Sequence, residues 1–363
     1  MGKKICFFIG SVSGKGGTER VCIGLANKLA EEGYHVTILS LYEGKTPFFS
    51  IHPTITLVEI FEHNQSFTKL FLKAVFRLKK IIQDHHYDIF VSVETILCMY
   101  SVPAVKLSPS VKHLAWEHFN LEVNFGLKVR KWARWMAAKY CHKIVVLTKR
   151  DQQLWERKFT FCSNIVCIPN SAAVTDIPVS AYEKREKLVI AVGRLTYQKG
   201  FDMLIQSWAM IANRFPDWKL NIIGSGEDEM MLKHHLSNLS LNGSVKIEPA
   251  TTQITQYYNK ASIYCASSRF EGLPMVLIEA QQFGLPIVSF DCNTGPAEVV
   301  TDGVNGLLCT PNSELELANA LAQCMMDDEK RIGYHQAALL SAKRFDEKTI
   351  YLNWINLLNS LTN

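Results

Sequence analysis

The sequence predicts an α/β protein with two domains, each built on an open parallel sheet. A chain of 363 residues, 48% of them hydrophobic, is long for a single core and favours two domains. Two parts of the chain show the same order of elements: a short apolar strand, a glycine-containing loop and an amphipathic helix. The first such unit starts at residue 4 and the second at residue 188. In sheets of this kind, ligands bind at the carboxyl ends of the strands.

The first domain opens with a strand, a loop and a helix. Residues 4–9 are an apolar run, and residues 11–20 (SVSGKGGTER) form the glycine-rich loop. Apolar residues at helical spacing follow from Val21, and Gly33 ends the helix. A second apolar run at residues 36–41 predicts the next strand.

The glycine-rich loop has three interpretations. A P-loop requires G-x-x-x-x-G-K-[ST], but the first glycines of this loop are one residue too close together and Lys15 is followed by glycine. The loop also begins like the K-G-G-x-G-K-T variant of partition-type ATPases, yet Glu19 and Arg20 stand where glycine and lysine are required. In the third interpretation, Gly16 and Gly17 form a turn that lets the backbone approach a diphosphate. A purely structural turn also remains open.

A histidine follows one of the later strands of the first domain. His118 comes directly after a predicted strand, at the edge where ligands of parallel sheets bind. A single histidine is most often structural, so its position alone does not assign a role. The later strands of this domain are predicted at residues 89–93, 113–117, 144–147 and 165–168.

Two predicted helices of the first domain combine basic and apolar residues. In residues 66–84, an apolar stripe is flanked by basic residues between Lys69 and Lys80. Such helices can lie on an anionic membrane, or they can be surface helices whose apolar face packs in the core. The sequence leaves both open. The second helix, Lys128–Lys139, contains Lys128, Arg130, Lys131, Arg134 and Lys139 together with Trp132, Trp135 and, just beyond it, Tyr140.

The second domain repeats the order of elements. A strand at residues 188–192 is followed by the loop 193–200 (GRLTYQKG) and a helix at 201–212. Arg194 and Lys199 lie in this loop, where a planar guanidinium and a compact ammonium can converge on a pyrophosphate. Further strands are predicted at 220–223, before the glycine turn Gly224–Gly226, and at 245–248, before a short helix at 255–260.

Two glutamates mark the next part of the chain. Glu271 lies in the loop between a strand at 263–266 and a helix at 275–283, and Glu279 lies within that helix. Eight helical residues rise about 12 Å, too far for two carboxylates to act as an acid/base pair on one bond. They can instead hold the two ends of an elongated ligand.

The start of that helix is a potential anion site. Pro274 suits the first helical turn, because its missing N–H group costs nothing there. The N–H groups of Gly272, Leu273 and Met275 are then available between the two glutamates, at a helix N-terminus that favours phosphate. After the helix, Gly284 and a strand at 287–290 complete a βαβ unit.

These glutamates, within FEGLPMVLIEAQQFGLPIVS and followed by GPAEVVTDGVNGLL, resemble the signature of glycosyltransferase family 4 of the bacterial surface-polysaccharide type. The resemblance implies a retaining, nucleotide-sugar-dependent enzyme of the GT-B fold, in which two Rossmann-like domains face each other across a cleft. It also implies the division of the chain: an acceptor-binding domain at 1–170, a linker at 171–187, a nucleotide-sugar-binding domain at 188–345, and a C-terminal helix at 346–363 that packs back on the first domain.

The resemblance implies roles for individual residues. His118 in EHFN is similar to the family's E-H-x histidine, which contacts the donor sugar, and Arg194 and Lys199 match the pair that holds the donor diphosphate. Glu271 is expected to bind the donor sugar hydroxyls and Glu279 the nucleotide ribose. The resemblance thus implies four catalytic residues: His118, Arg194, Lys199 and Glu271. Glu279 and seven further residues are expected to bind the donor as well: Gly16, Gly17, Gly224, Gly226, Gly272, Leu273 and Pro274.

Composition restricts partners and compartment. Net charge is +5, but residues 1–180 carry 23 Lys/Arg against 14 Asp/Glu, whereas residues 181–363 carry 16 against 20. The basic half predicts an anionic partner, and without a nucleic-acid module this is a membrane surface or a pyrophosphate-bearing lipid. Ten cysteines without C-x-x-C predict buried, reduced thiols. The uncharged apolar stretch 95–105 is too short to span a bilayer, so we expect a cytoplasmic protein that can associate with the inner face of the inner membrane.

The predicted function is transfer of a hexose or N-acetylhexosamine from a nucleotide sugar, in particular a UDP-sugar, to a lipid-linked or polysaccharide acceptor such as lipopolysaccharide or O-antigen. The absence of D-x-D favours a metal-independent reaction, and no cofactor is expected beyond the nucleotide-sugar co-substrate. Two alternatives remain: a nucleotide-binding switch or ATPase, favoured by KGGT, and a sugar phosphorylase of the same fold.

Overall fold

The structure, a computed structural model, describes residues 2–64, 67–172 and 185–361, and for residues 67–70 it describes the backbone only. The chain divides into two compact units. The first unit comprises Met1–Ser171 together with Glu347–Asn363, and the second comprises Ala172–Asp346. Most of the predicted linker, 171–187, lies outside the described residues.

The described part of the first unit contains a seven-stranded parallel sheet. Its order is β3-β2-β1-β4-β5-β6-β7, so the chain moves outward from β1 in one direction and then in the other. Central strands of such a sheet are buried on both faces and read as continuous apolar runs, as in residues 5–9. The strands are β1 (Lys4–Ile9), β2 (His35–Tyr42), β3 (Thr56–Phe61), β4 (Ile89–Val93), β5 (Lys112–Trp116), β6 (Lys143–Val146) and β7 (Ile165–Cys167).

Helices cover the sheet of the first unit, and two apolar clusters form its core. One cluster joins buried residues of β1, β2 and β4 to α2 and α3, and the other joins β5 and β6 to α4 and α5. The helix α3 packs against both α2 and α4. These helices are α1 (Gly17–Glu31), α2 (Phe67–His85), α3 (Cys98–Val105), α4 (Lys128–Tyr140) and α5 (Lys149–Lys158).

The second unit contains a six-stranded parallel sheet of order β10-β9-β8-β11-β12-β13. Its core is lined by β8, β9, β11 and β12 and by the helices α6 and α11. The strands are β8 (Leu188–Val192), β9 (Lys219–Ile223), β10 (Val245–Glu248), β11 (Ile263–Ala266), β12 (Ile287–Phe290) and β13 (Gly306–Cys309). The helices are α6 (Phe201–Ile211), α7 (Glu229–Asn238), α8 (Ile254–Lys260), α9 (Met275–Gln282), α10 (Pro296–Val299), α11 (Glu314–Met326) and α12 (Asp328–Ala342).

Each sheet has a point at which the strand order reverses. In the first unit it lies between β1 and β4, and in the second between β8 and β11. The loops that leave two such strands turn to opposite faces of the sheet and open a crevice between them, which is where ligands of open α/β sheets bind. Both glycine loops predicted from the sequence, at 11–20 and 193–200, therefore start at a switch point.

The last helix, α13 (Glu347–Ser360), belongs to the first unit. Its Trp354 is buried and meets Trp116 at the end of β5 edge to face, with ring centroids 4.6 Å apart. The Lys3 ammonium also donates to the Asn359 side-chain oxygen at 3.0 Å. The end of the chain thus completes the packing of a unit that begins at its start.

Some boundaries differ from the prediction. The first helix starts at Gly17, four residues before the apolar periodicity, so Thr18, Glu19 and Arg20 are helical and not part of the loop. The sequence did not predict β3 or β13, which are short and partly exposed. The uncharged stretch that was too short to span a bilayer contains α3, which packs in the core. No helix within the described ranges combines the length and the apolar character needed to cross a membrane.

The Trp116–Trp354 contact makes a testable prediction. Replacing Trp354 by alanine removes a fully buried aromatic side chain and should lower the free energy of unfolding by about 3–5 kcal/mol. Leu352→Ala is the control, because Leu352 lies on the same helix with 49% of its surface exposed. Urea denaturation followed by far-UV circular dichroism measures both variants. Equal midpoints for them would contradict the assignment of α13 to the core of the first unit.

Candidate active site

Two loops of the second unit meet at its switch point. The loop after β8 (residues 193–200) and the loop after β11 (residues 267–274) are joined by direct hydrogen bonds. The Arg269 N–H donates to the Gln198 carbonyl at 2.8 Å, and the Ser267 hydroxyl donates to the Lys199 carbonyl at 3.0 Å. These bonds fix the backbone on which the predicted site residues stand.

Lys199 and Glu271, both predicted from the sequence, form an ion pair across these loops. Lys199 Nζ lies 2.6 Å from Glu271 Oε1, and the two side chains are only 17% and 9% exposed. The Ser268 hydroxyl donates to the same carboxylate oxygen at 2.7 Å, and Gln198 Nε2 approaches Oε2 at 3.4 Å. A carboxylate that is held from three sides has a fixed orientation, which is what binding of sugar hydroxyls requires.

Arg194, the third predicted residue here, has a different environment. Its side chain is exposed, and it forms no ion pair with any other described residue. The loop therefore presents one cation that is already paired and one that is available to an incoming anion.

A further arginine supports the loop, and sequence reasoning missed it. Arg269 donates through both terminal nitrogens to the Asp202 carboxylate, at 2.6 and 3.0 Å. Its guanidinium also lies 4.1 Å from the centre of the Tyr197 ring, and it donates to the Tyr197 carbonyl. The bidentate pair lowers the pKa of Asp202 against the effect of burial. Arg269 and Asp202 are 67 residues apart in the sequence, so no local pattern predicts that they form a pair.

The glycines at this site allow close backbone approach. A Cβ atom at Gly224 would clash with the carbonyl of Gly193, and one at Gly226 with the carbonyl of Leu195. The loop after β9 thus packs directly under the loop after β8. This accounts for both predicted glycines through packing, independently of any ligand.

The helix after Glu271 starts at the predicted residue, but Pro274 does not lie in its first turn as expected. Met275 is its first residue, and Pro274 is the N-cap with extended backbone (φ −75°, ψ 101°), not a residue of the first turn. Leu273 is buried, at 6% exposure. The Gly272 carbonyl packs so closely on Gly295 that a Cβ atom at residue 295 would clash with it. The segment 272–274 is therefore held rigidly in front of α9.

Glu279 is buried within α9 and is not a surface residue. Only 8% of it is exposed, and the Tyr258 hydroxyl donates to its Oε2 at 3.1 Å. The Tyr258 ring in turn stacks on Phe283, with centroids 5.1 Å apart. Burial of a charge is costly unless the charge is used or paired. The burial of the Glu279 carboxylate is therefore stronger evidence for a functional role than the spacing of the two glutamates.

A pocket lies against this arrangement. Lys199, Ser268 and Glu271 line its polar side, and Tyr264 and Leu277 are among the residues of its apolar side. Of the residues predicted in the second unit, Lys199, Glu271 and Pro274 therefore line one pocket at the carboxyl ends of β8 and β11.

The first unit holds the predicted histidine. His118 follows β5, its ring centroid lies 4.5 Å from that of Trp116, and burial lowers its pKa to about 3. Its Nε2 atom is buried without a hydrogen-bond partner. The imidazole is thus neutral at physiological pH and has one unused nitrogen, which is the state needed for contact with an uncharged ligand group.

A buried ion pair holds the backbone around His118. Glu117 is completely buried and accepts from Arg134 Nε at 2.9 Å and from the Thr95 hydroxyl at 2.5 Å. Arg134 also donates to the carbonyls of Asn120, Leu121 and Val123. This arginine is 1% exposed, and Arg130 is 8% exposed. Neither can lie on a membrane, so their inclusion in the basic face of this helix was wrong.

Gly16 and Gly17 lie at the N-terminus of α1, where Gly16 is the N-cap. The carboxylate of Glu19, the third helical residue, folds back over the cap, and a Cβ atom added at Gly16 would lie 2.6 Å from its Oε2. Around Gly17 nothing lies within 4 Å of such an atom. An acidic side chain thus occupies the position that an anion would take at this helix end.

The cysteine prediction is confirmed: all ten cysteines are free, and nine of them are buried. One cluster brings three possible metal ligands together, Cys98, His113 and Cys141, with ligand atoms within 4.8 Å of one another. Burial raises the pKa of Cys141, which favours the thiol, and His113 is bonded to Ser92 through Nε2 at 2.9 Å. The geometry is that of a packed core.

Comparison with known proteins now identifies the class. Two family models match successive parts of the chain: Glycosyltransferase Family 4 at residues 15–174, and Glycosyl transferases group 1 at residues 175–339. An uncharacterized glycosyltransferase of Haemophilus influenzae is 34% identical over 357 residues, which is 98% of this chain and 100% of the relative. The chain belongs to glycosyltransferase family 4, and the predicted enzyme class is confirmed.

Two further proteins resemble the chain over its length. The Campylobacter jejuni GalNAc-α-(1→4)-GalNAc-α-(1→3)-diNAcBac-PP-undecaprenol α-1,4-N-acetyl-D-galactosaminyltransferase is 27% identical and covers 99% of both chains. The structure of Anabaena HepE in complex with UDP and glucose superposes with a TM-score of 0.80 at 20% identity, covering 98% of this chain and 99% of HepE. The predicted GT-B type fold, with two parallel-sheet domains, is confirmed.

The state of His118 makes a prediction about pH. The folded pKa is about 3, below the value of about 6.5 for an unfolded histidine, so its contribution to stability is present above pH 6.5 and is lost as pH falls towards 3. Each pH unit in this window should cost about 1.4 kcal/mol from this residue. His118→Gln should remove that part of the slope, measured as free energy of unfolding in urea at pH 7.5 and 5.5. The control is His63→Gln, at an exposed histidine. An unaltered slope in His118→Gln would contradict the buried neutral imidazole.

Proposed function

We propose that this protein is a retaining, metal-independent glycosyltransferase that moves a hexose or N-acetylhexosamine from a UDP-sugar to a lipid-linked or polysaccharide acceptor in surface-glycan synthesis. The observation that carries this proposal is the Lys199–Glu271 pair, oriented by Ser268 and placed at the switch point of the second unit beside an unpaired Arg194. The complex of HepE with UDP and glucose supports the donor, and the name of the Campylobacter jejuni relative supports the acceptor class. Retention follows from the family resemblance.

The first requirement of the reaction is stabilisation of the leaving group. When the bond from the anomeric carbon to the diphosphate breaks, negative charge grows on the phosphate oxygens, and fixed cations lower the energy of that state. Arg194 and Lys199 are the cations of this loop. Two charge-assisted contacts at about 1.5–3 kcal/mol each correspond to roughly two to four orders of magnitude in rate.

The second requirement is a defined position of the donor sugar. Glu271 accepts hydrogen bonds from sugar hydroxyls, while Ser268 and Gln198 prevent its rotation. The family resemblance assigns the neutral His118 to the donor sugar near the reacting carbon, and its Nε2 atom has no hydrogen-bond partner among the described residues. A neutral imidazole suits this contact because it adds no charge beside the developing oxocarbenium ion.

Glu279 binds the nucleotide ribose in this proposal. The Tyr258 hydroxyl bonds one carboxylate oxygen and holds the group in place, so that it can accept from the two ribose hydroxyls. The close-packed Gly224 and Gly226 border the nucleoside. Gly272, Leu273 and Pro274 provide the rigid segment from which α9 presents its N-terminus to phosphate.

Neither alternative function is favoured. A phosphate-binding loop in an ATPase needs an available lysine and an open helix N-terminus, but the Lys15 ammonium lies 5.0 Å from the centre of the Phe48 ring and Glu19 covers the N-terminus of α1. A sugar phosphorylase has no feature of this site in its favour over a transferase.

The proposal extends to an anionic membrane surface. On α2, Leu72 and Phe76 are 67% and 68% exposed beside the exposed Lys73 and Lys80, and on α4, Trp132 is 64% exposed. Lys69 lies outside the described side chains. Exposed apolar side chains flanked by lysines suit an interface with anionic lipid, to which each basic residue adds about 1 kcal/mol of attraction. In this proposal the enzyme works at the inner face of the membrane, where it meets a lipid-linked acceptor.

Activity should depend on the central ion pair. Lys199→Ala and Glu271→Ala should each lower turnover at least a hundredfold with an intact fold, because each removes a group that contacts the donor. The matched controls are Lys187→Ala and Asp217→Ala, an exposed ion pair of the same unit with atoms 3.3 Å apart. The assay is transfer from a panel of UDP- and GDP-sugars to undecaprenyl- or polysaccharide-linked acceptors. Near-normal turnover in either site variant, with the accepted donor, would reject the proposed site.

Membrane binding should depend on the exposed aromatic residues. The double variant Phe76→Ala/Trp132→Ala should weaken binding to vesicles containing 30 mol% phosphatidylglycerol by about tenfold, measured by co-sedimentation, since two interfacial side chains are lost. Phe161→Ala is the control, at a residue that is 60% exposed but lies on neither helix. Equal binding by all three proteins, or binding insensitive to salt, would rule out this surface as the contact.

A further inference from the structure

The switch point of the first unit carries an acidic residue that the proposed reaction does not yet use. Glu94 directly follows β4, one of the two strands that flank this switch point. Its N–H donates to the Trp116 carbonyl at 2.8 Å, and the neighbouring Thr95 hydroxyl bonds the Glu117 carboxylate. Glu94 therefore lies at the same sheet edge as His118, on the adjacent strand.

The backbone of Glu94 adopts a conformation that side chains oppose. Its φ is +79° and its ψ is 130°, a region that only glycine enters without strain. The sequence nevertheless has a long acidic residue there, with its side chain 22% exposed. Strain of this kind persists where the surrounding structure fixes it, and it is concentrated at sites that bind ligands.

Arg130 lies beside Glu94 with most of its hydrogen-bonding capacity unused. Its Nη2 donates to Glu94 Oε2 at 3.2 Å, whereas its buried Nε and Nη1 atoms have no hydrogen-bond partner in the described part of the chain. The residue is 92% buried, since its exposure is 8%. The guanidinium lies beside two adjacent aromatic rings, 5.2 Å from the centre of Phe119 and 5.1 Å from that of Phe125. Buried donors of this kind are normally satisfied, so a ligand group is the natural partner.

The chemistry of this pair selects the ligand. A carboxylate with unused lone pairs next to a guanidinium with unused N–H groups offers acceptors and donors side by side, which matches two neighbouring hydroxyl groups. With the carboxylate charged, the pair is neutral as a whole and gives a phosphate no net attraction. Aromatic rings beside the pair suit the apolar face of a sugar ring.

We propose that Glu94 and Arg130 form a subsite that binds two adjacent hydroxyls of the acceptor sugar, bordered by Phe119 and Phe125. This inference rests on the proposed function, because it gives the first unit the acceptor of that same reaction. Neither Glu94 nor Arg130 was among the catalytic or donor-binding residues predicted from the sequence.

The subsite has a characteristic pH dependence. The pKa of Glu94 is raised to about 7, mainly by burial. The nearby charges of Glu117 and Glu19 also raise this pKa, whereas Arg130 lowers it. The Tyr42 hydroxyl is a further titratable group that faces Glu94. The charged carboxylate is the form that accepts two hydroxyl hydrogen bonds. Acceptor binding should therefore weaken as pH falls from 8 to 6, and Glu94→Gln should remove this dependence.

The test measures binding of sugars to the full chain without catalysis. Methyl α-glycosides of glucose, galactose, N-acetylglucosamine and N-acetylgalactosamine are added to the wild type, Glu94→Gln, Arg130→Met and the control Glu62→Gln, and saturation-transfer NMR reports their affinity. Glu62 is an exposed glutamate of the same unit, with 76% of its side chain exposed. We expect at least one glycoside to bind the wild type and Glu62→Gln alike, and to lose tenfold or more in affinity in Glu94→Gln and Arg130→Met. UDP binding should be unchanged in all four proteins.

Several results would overturn the subsite. These are equal glycoside affinity in wild type and Glu94→Gln, no glycoside binding to the wild type, or a loss of UDP binding that parallels the loss of glycoside. Should Arg130→Met fail to fold, as circular dichroism would show, the isosteric Glu94→Gln still decides. Failure of the wild type to bind UDP or transfer any sugar would instead reject the proposed function, while a glycoside site dependent on Glu94 would stand.

Discussion

The ion pair between Lys199 and Glu271 is the interaction on which the second unit depends. It joins the loops of two neighbouring strands at the point where the sheet reverses its order, and both charges are largely shielded from water. Charges in such a place need additional hydrogen bonds, which Ser268 supplies directly. The carboxylate is consequently oriented before any ligand arrives, so little reorganisation is required when one binds.

The first unit also contains a shielded ion pair at a strand end, formed by different residues. Glu117 and Arg134 form a fully buried pair at the end of β5, and the arginine holds the backbone of residues 120–123 through three carbonyl oxygens. His118 stands next to this pair on a backbone that cannot shift freely. In both units, a buried carboxylate with a cationic partner stiffens the strand end that carries the functional group. Rigid support of this kind is what precise positioning of a reacting sugar demands.

Many strands and several site residues could be predicted from local sequence, whereas the ion pairs between distant residues could not. The strands at 89–93, 188–192 and 263–266 have the predicted bounds, because they are apolar runs between polar ends. The loop carrying Lys199 and the turn at Glu271 were found through glycine patterns and family resemblance. The Arg269–Asp202 and Glu94–Arg130 pairs join residues 67 and 36 positions apart, and only the fold brings them together. Arg130 and Arg134 resembled surface residues because their helix is basic throughout.

The packing of α13 has a consequence for how the chain matures. Trp116 in β5 is covered by Trp354, so the first unit lacks part of its interior until nearly the whole polypeptide has been made. During synthesis, the second unit is complete in sequence before the unit that starts at the N-terminus can close. The indole face of Trp116 therefore stays uncovered until α13 has been synthesised and has docked on the first unit.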